Sequence, residues 1–129
     1  VISVINPAKF QGKSRDSRRK TDLAAIQGAL ETYFADYDTY PVGALDSSQL
    51  GWSAILPSEY ISNMPVDPTN TSPLTYYYAS SPDGFDYELN AVLEVDTASM
   101  LNTSDGGNEN SQYEVGTDLT IIPDTTGEE

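Results

Sequence analysis

From Leu23 to Tyr37 the apolar residues Leu23, Ile26, Leu30, Tyr33, Phe34 and Tyr37 recur at helical spacing. At about 100° per residue they fall within an arc of roughly 100°, the width of a stripe by which a helix packs on a core. Upstream, Lys9, Lys13, Arg15, Arg18, Arg19 and Lys20 point in nearly every direction around the same axis and leave no such stripe. Asn6-Pro7 is a helix start, with Asn as cap and Pro in the first turn. Pro41 cannot continue a helix and Gly43 follows it, so the helix is expected to run from Pro7 to about Tyr37. A rod of that length spans about 45 Å at 1.5 Å per residue, longer than a small domain needs. Residues 1–22 are therefore expected to form a projecting stem. Residues 23–122 form a globular head, and 123–129 a flexible acidic tail.

Charge sharpens this division. The net charge is −14, yet all six Lys and Arg residues lie between positions 9 and 20, and 19 of the 20 acidic residues lie beyond Thr21. The head cannot form Lys or Arg salt bridges within itself, and a surface of its sign repels nucleic acid and anionic lipid. Its self-repulsion must be relieved by solvent, by cations or by the basic stem of another chain. Cysteine and histidine are both absent. That removes disulfides, thiolate metal sites and the commonest general base. Val1-Ile2-Ser3-Val4-Ile5 is too short to cross a bilayer, which takes about 20 residues. It is expected to be the end of a longer hydrophobic segment.

Beyond the helix, residues 41–73 read as a connecting region, with one helical turn near Trp52 and turns at Pro65, Pro68 and Pro73. Tyr60, Ile61, Met64 and Val66 are expected to pin it to the core, and Trp52 to be the most exposed aromatic. Leu74–Ala79 and Phe85–Leu93 read as strands joined by a short loop ending in Gly84. In the second, Phe85, Tyr87, Leu89, Ala91 and Leu93 alternate with Asp86, Glu88 and Asn90, predicting one buried and one wet face. A helical turn is expected at 96–101, a polar loop at 102–112 and a last strand at 113–122, interrupted by Gly116. The fold class is α+β: a long N-terminal helix packed on a three- to four-stranded antiparallel sheet.

Several stretches in this order resemble the type IV pilin superfamily, which includes the major pseudopilin of type II secretion. They are VISVINPAK (1–9), RDSRRKTD (15–22), YFAD (33–36) with Tyr40-Pro41, YISNMPVDP (60–68), YYY (76–78), FDYEL (85–89) and YEVGT (113–117). The family's peptidase site and most of its hydrophobic segment are not among these residues. A disulfide-closed loop is ruled out by the lack of cysteine. The resemblance implies a pilus or pilin-like subunit in an extracellular filament at the cell surface. It also implies prepilin peptidase and an assembly platform as earlier partners, and membrane retention through the N-terminal segment before assembly.

In such a filament the helices bundle at the centre, and copies of the chain are the partners. Phe10, Lys13, Arg15, Arg18, Arg19 and Lys20 are then the candidate subunit interface, basic stem against acidic head. On that view, reversing Arg18 and Arg19 to glutamate stops assembly while the head still folds. Nucleic acid binding by the basic run is the weaker reading. A type II secretion or competence pseudopilin is the alternative within the family. A secreted glycan- or protein-binding module with Tyr-rich loops is the alternative outside it. Paired carboxylates such as Asp83/Asp86 or Glu94/Asp96 come with no nucleophile or oxyanion site, and no enzyme is expected. The loop with Asp105, Asn108 and Glu109 leaves two readings open: calcium held by these hard oxygen donors, or a solvated turn.

Overall fold

The computed structural model describes residues 6–108 and 111–123, apart from the side chains of residues 102 and 103. Helix α1 spans Pro7–Tyr37. The Asn6 side chain accepts from the N–H groups of Ala8 and Lys9 at 3.1 and 3.4 Å, satisfying two donors that a first turn leaves open. At the other end Asp38 turns left-handed with φ 60°, and its N–H closes the helix on the Phe34 carbonyl.

Four strands follow: β1 (Ala44–Asp46), β2 (Tyr77–Ser80), β3 (Tyr87–Ala91) and β4 (Tyr113–Gly116). They form one antiparallel sheet in the order β1-β2-β3-β4. Short 3-10 turns lie at Trp52–Ala54 and Thr97–Met100, and a one-turn helix α2 at Asn102–Asp105. The register places Leu45, Tyr78, Leu89 and Val115 in one cross-strand row. That row faces Leu23, Ile26 and Leu30 of α1, and together with Tyr40, Trp52, Tyr76 and Tyr87 they form a single hydrophobic core. The expected α+β architecture, with its helical stripe on an antiparallel sheet, is the observed one.

Four details differ from the sequence reading. Residues 44–46 form an edge strand where an irregular connection was expected. These three residues carry little pattern of their own and are held by pairing with β2. Trp52, expected exposed, is 2 % exposed; its indole N–H donates to the Pro65 carbonyl at 2.8 Å and its ring lies near Tyr76. Leu93 is buried but lies outside the helix–sheet core, where its N–H meets the Met100 sulfur.

The outer face of β3 is the fourth difference. Glu88 and Asn90 are fully buried rather than wet. Strand β4 stops at Gly116, whose φ of 143° suits glycine and where a Cβ would lie 2.3 Å from the Tyr87 carbonyl. The chain after it folds back, and the Ile122 N–H donates to Glu88 at 3.0 Å. Asn90 donates to both Glu88 and Gln112 at 2.7 Å.

Leu30 has no exposed surface and sits at the centre of the core. Leu30→Ala is expected to cost about 2–5 kcal/mol, since a buried leucine leaves both lost transfer energy and a cavity. Urea denaturation of the two proteins checks this; equal midpoints would mean that the stripe does not carry the helix–sheet contact.

Candidate functional site: the stem and its clamp on the head

The basic stretch of α1 is not a free stem beyond Gly12. Arg19 is fully buried, and its guanidinium reaches acceptors from three parts of the chain. Nε and Nη2 grip the two oxygens of Asp67 at 2.8 and 3.0 Å. Nη1 bonds Asp16 at 2.9 Å and Glu94 at 2.6 Å, and Nη2 also reaches the Thr69 hydroxyl at 3.4 Å. With five N–H donors on a guanidinium, each has an acceptor, which is the condition for keeping such a charge out of water.

Asp16 is the second half of the clamp. Its carboxylate accepts three successive backbone N–H groups, from Glu94, Val95 and Asp96, at 2.8, 2.8 and 2.9 Å. The loop after β3 is thereby wrapped onto the helix. Burial by itself would raise the Asp16 pKa, but these three donors and Arg19 outweigh it and hold the carboxyl below its ordinary value. Arg15 adds a two-pronged pair with Glu94 at 2.6 and 2.8 Å. That hydrogen bond, helped by Arg19 against partial burial, holds Glu94 down at about 2. Lys20 bonds Asp96 at 2.5 Å and Ser99 at 3.1 Å, with its ammonium 5.5 Å from the centre of the Tyr113 ring. Gly12 makes the close approach possible, because a Cβ there would stand 2.7 Å from a Val95 methyl.

These contacts correct the expectation of a stem projecting over residues 1–22. The helix is fastened to its own head from Gly12 onward, and the basic stem meets the acidic head within one chain. The physical reason is Asp16: a carboxylate inside the basic run gathers the 94–96 amides, and a buried Arg19 neutralises it. Of the six interface candidates, Arg15, Arg19 and Lys20 are engaged in this way. Phe10, 65 % exposed, and Lys13 face outward, and Arg18 lies on the surface 3.6 Å from Asp22. The expectation that reversing Arg18 and Arg19 leaves the head folded is corrected too, since a glutamate at 19 would sit buried among three carboxylates.

From the sequence, Glu94 reads only as a neighbour of Asp96 in a carboxylate pair and Asp67 only as a turn residue, and Asp16 carries no assigned role. The available signal was a lone acid in a basic run with an arginine three residues on, a helix-face pair. Lys9, Lys13 and Lys20 line a cleft of about 400 Å³ with Asp16, Ser17, Val95 and Asp96. Lys9 and Lys13 form no ion pair with any other described residue.

In the oxygen-rich loop, Asp105 is held by backbone donors. Asp105 accepts from the N–H of Gly107 at 2.9 Å and of Glu114 at 3.0 Å, one on each oxygen. Burial nonetheless raises its pKa. The Asn108 side-chain oxygen is buried without a partner, and Glu109 lies outside the described residues. Among the described residues no group of three acidic side chains could hold a metal ion, and the hydrogen bonds of Asp105 close the turn.

Most of the sheet tyrosines pack in the core. Tyr76, Tyr78 and Tyr87 are buried, and the Tyr76 hydroxyl donates to Asp22 at 2.7 Å. Tyr33, Tyr37 and Tyr60 form an aromatic cluster at the C-terminal end of α1, and Tyr60 donates to Asp36 at 2.6 Å. No described helix is long and apolar enough to cross a membrane. Comparison with protein families, with characterised proteins and with solved structures found no match to this chain.

Proposed function

We propose that this chain is a structural subunit of an extracellular filament of the type IV pilus kind, assembled from copies of itself through the N-terminal helix. The supporting observation is the form of α1. From Gly12 to Tyr37 it is fixed to the head by the Asp16–Arg19 clamp and the apolar stripe. From Pro7 to Gln11 it is exposed, with Phe10 turned outward. A rod rigidly fastened to its head, with its first turns free for neighbours, suits a subunit that must transmit load from helix to head. The clamp fixes the angle between the two, so every copy presents the same surfaces. The sequence resemblance to pilins points the same way. Retention in a membrane before assembly, through sequence upstream of Val1, and release by a prepilin peptidase belong to the same proposal. The role is structural and involves no catalysis.

The test is to express the full-length protein in its own host and to examine sheared surface material by electron microscopy with an antibody to the head. Labelled filaments are the expected result, and their length separates a pilus from a short pseudopilus. Recovery of the protein only as a free monomer in the medium would overturn the proposal in favour of a secreted binding module.

A further inference from the structure

Among the charges left outside the clamp, two groups lie at opposite poles of the rod. At the N-terminal pole, Lys9 and Lys13 line the cleft beside Val95, with Phe10 exposed on the neighbouring face. At the C-terminal pole, Asp36, Asp38 and Asp83 are all exposed. The loop carrying Asp83 lies against the chain leaving the helix: the Tyr40 N–H donates to the Gly84 carbonyl at 2.7 Å, and a Cβ at Gly84 would stand 3.2 Å from Thr39 and 3.4 Å from Val42. The same pole exposes Val42 by 70 % and Phe85 by 58 %. The cleft is also lined by Asp16 and Asp96, but these are paired with Arg19 and Lys20, so Lys9 and Lys13 are its unpaired charges among the described residues, and each end combines unpaired charge with exposed apolar surface. The two ends are about 35 Å apart along the helix at 1.5 Å per residue, too far to meet within one molecule.

The sequence sharpens the contrast. No acidic residue lies in the first turn of α1 and no basic residue in its last. A helix dipole favours the opposite distribution, acids at the start and bases at the end. The isolated chain therefore carries an unfavourable charge at both ends of its principal element, and docking of unlike poles relieves both. No Lys or Arg exists beyond residue 20, so the acidic pole has no basic partner in its own half of the chain.

We propose that the Lys9–Lys13 cleft of one copy docks on the Asp36–Asp38–Asp83 pole of a second, with Phe10 against Val42 and Phe85 inside the ring of charges. Two different surfaces meet, so the contact is heterologous and leaves a free pole at each end. It propagates rather than closing into a dimer. The proposal rests on the filament reading and names the surfaces that reading leaves open.

Zero-length carbodiimide coupling of filaments of the full-length protein tests it, because the reagent joins an amine only to a carboxylate in contact with it. The Lys20–Asp96 pair within each chain is the internal control. The expected products are inter-chain peptides joining Lys9 or Lys13 to Asp36, Asp38 or Asp83. Filaments that give the control product while Lys9 and Lys13 link elsewhere, or not at all, overturn the docking and leave the filament reading standing. Wild-type protein that makes no filaments overturns the reading, and the docking with it. Lys9→Glu with Lys13→Glu leaves the clamp untouched, so the head is expected to melt as in the wild type while filaments are lost. Normal filaments from that variant also overturn the docking.

Discussion

Arg19→Ala is expected to destabilise the head by about 3–5 kcal/mol, the usual cost of removing one member of a buried ion pair. The cost comes from what remains. Asp67 is fully buried and Asp16 almost so, and with Glu94 they would face one another without the guanidinium that now bonds all three. No other basic residue could move into the space, since every Lys and Arg lies on the same helix and Arg15 and Lys20 already hold Glu94 and Asp96. For a small domain such a loss is a large part of total stability. Arg19→Lys is not a mild substitute, because an ammonium has three donors and cannot grip Asp67 in a two-pronged way. Thermal denaturation of wild type, Arg19→Ala and Arg18→Ala would measure the difference. Arg18, on the surface, is expected to change the melting temperature little. Equal effects at 18 and 19 would show that the clamp does not hold the head.

The helix and its stripe were legible because they are local: a 3.6-residue period needs no knowledge of the partner, and Asn6-Pro7 and Pro41 mark the ends. Strands β2 and β3 were legible for the same reason, with a hairpin between them. What escaped depends on residues distant in the chain. Arg19 looks like one more surface base until Asp67 and Glu94 arrive from 48 and 75 residues away. Glu88 and Asn90 alternate as a wet face would, and what covers them comes from distant chain, the return at Ile122 over Glu88 and Gln112 beside Asn90. Trp52 sits in a stretch without period, and burial there comes from the Pro65 segment folding over it. The sequence division into basic stem and acidic head was sound as charge bookkeeping. It misplaced the pairing, assigning between copies what the fold first satisfies within one.

Stability is expected to peak in mildly acidic solution and to fall steeply below ~pH 4, because two groups of carboxylates are shifted in opposite directions. Glu94, held at about 2, and Asp16 and Asp96, also lowered, belong to the clamp. A carboxylate whose folded pKa lies below its unfolded value of roughly 4 contributes stability above that value, and the contribution is lost as pH falls towards the folded pKa. Acid therefore dissolves the clamp between about pH 4 and 2. Glu88 and Asp105 behave in reverse: burial raises both, against the hydrogen bonds they accept. Their contribution is present below the unfolded pKa and is lost as pH rises through the folded one. Ionising Glu88 beneath the Ile122 segment, with no basic residue in that half of the chain, opposes folding at neutral pH. Denaturant titrations from pH 8 to pH 3 would trace both limbs. Glu88→Gln is expected to flatten the decline on the neutral side and leave the acid limb in place. In Glu94→Gln, Asp16 and Asp96 remain, so the acid limb shrinks without vanishing. A wild-type stability that rises steadily from pH 5 to 8 would mean that Glu88 ionises without penalty and that the outer face of the sheet is open to water.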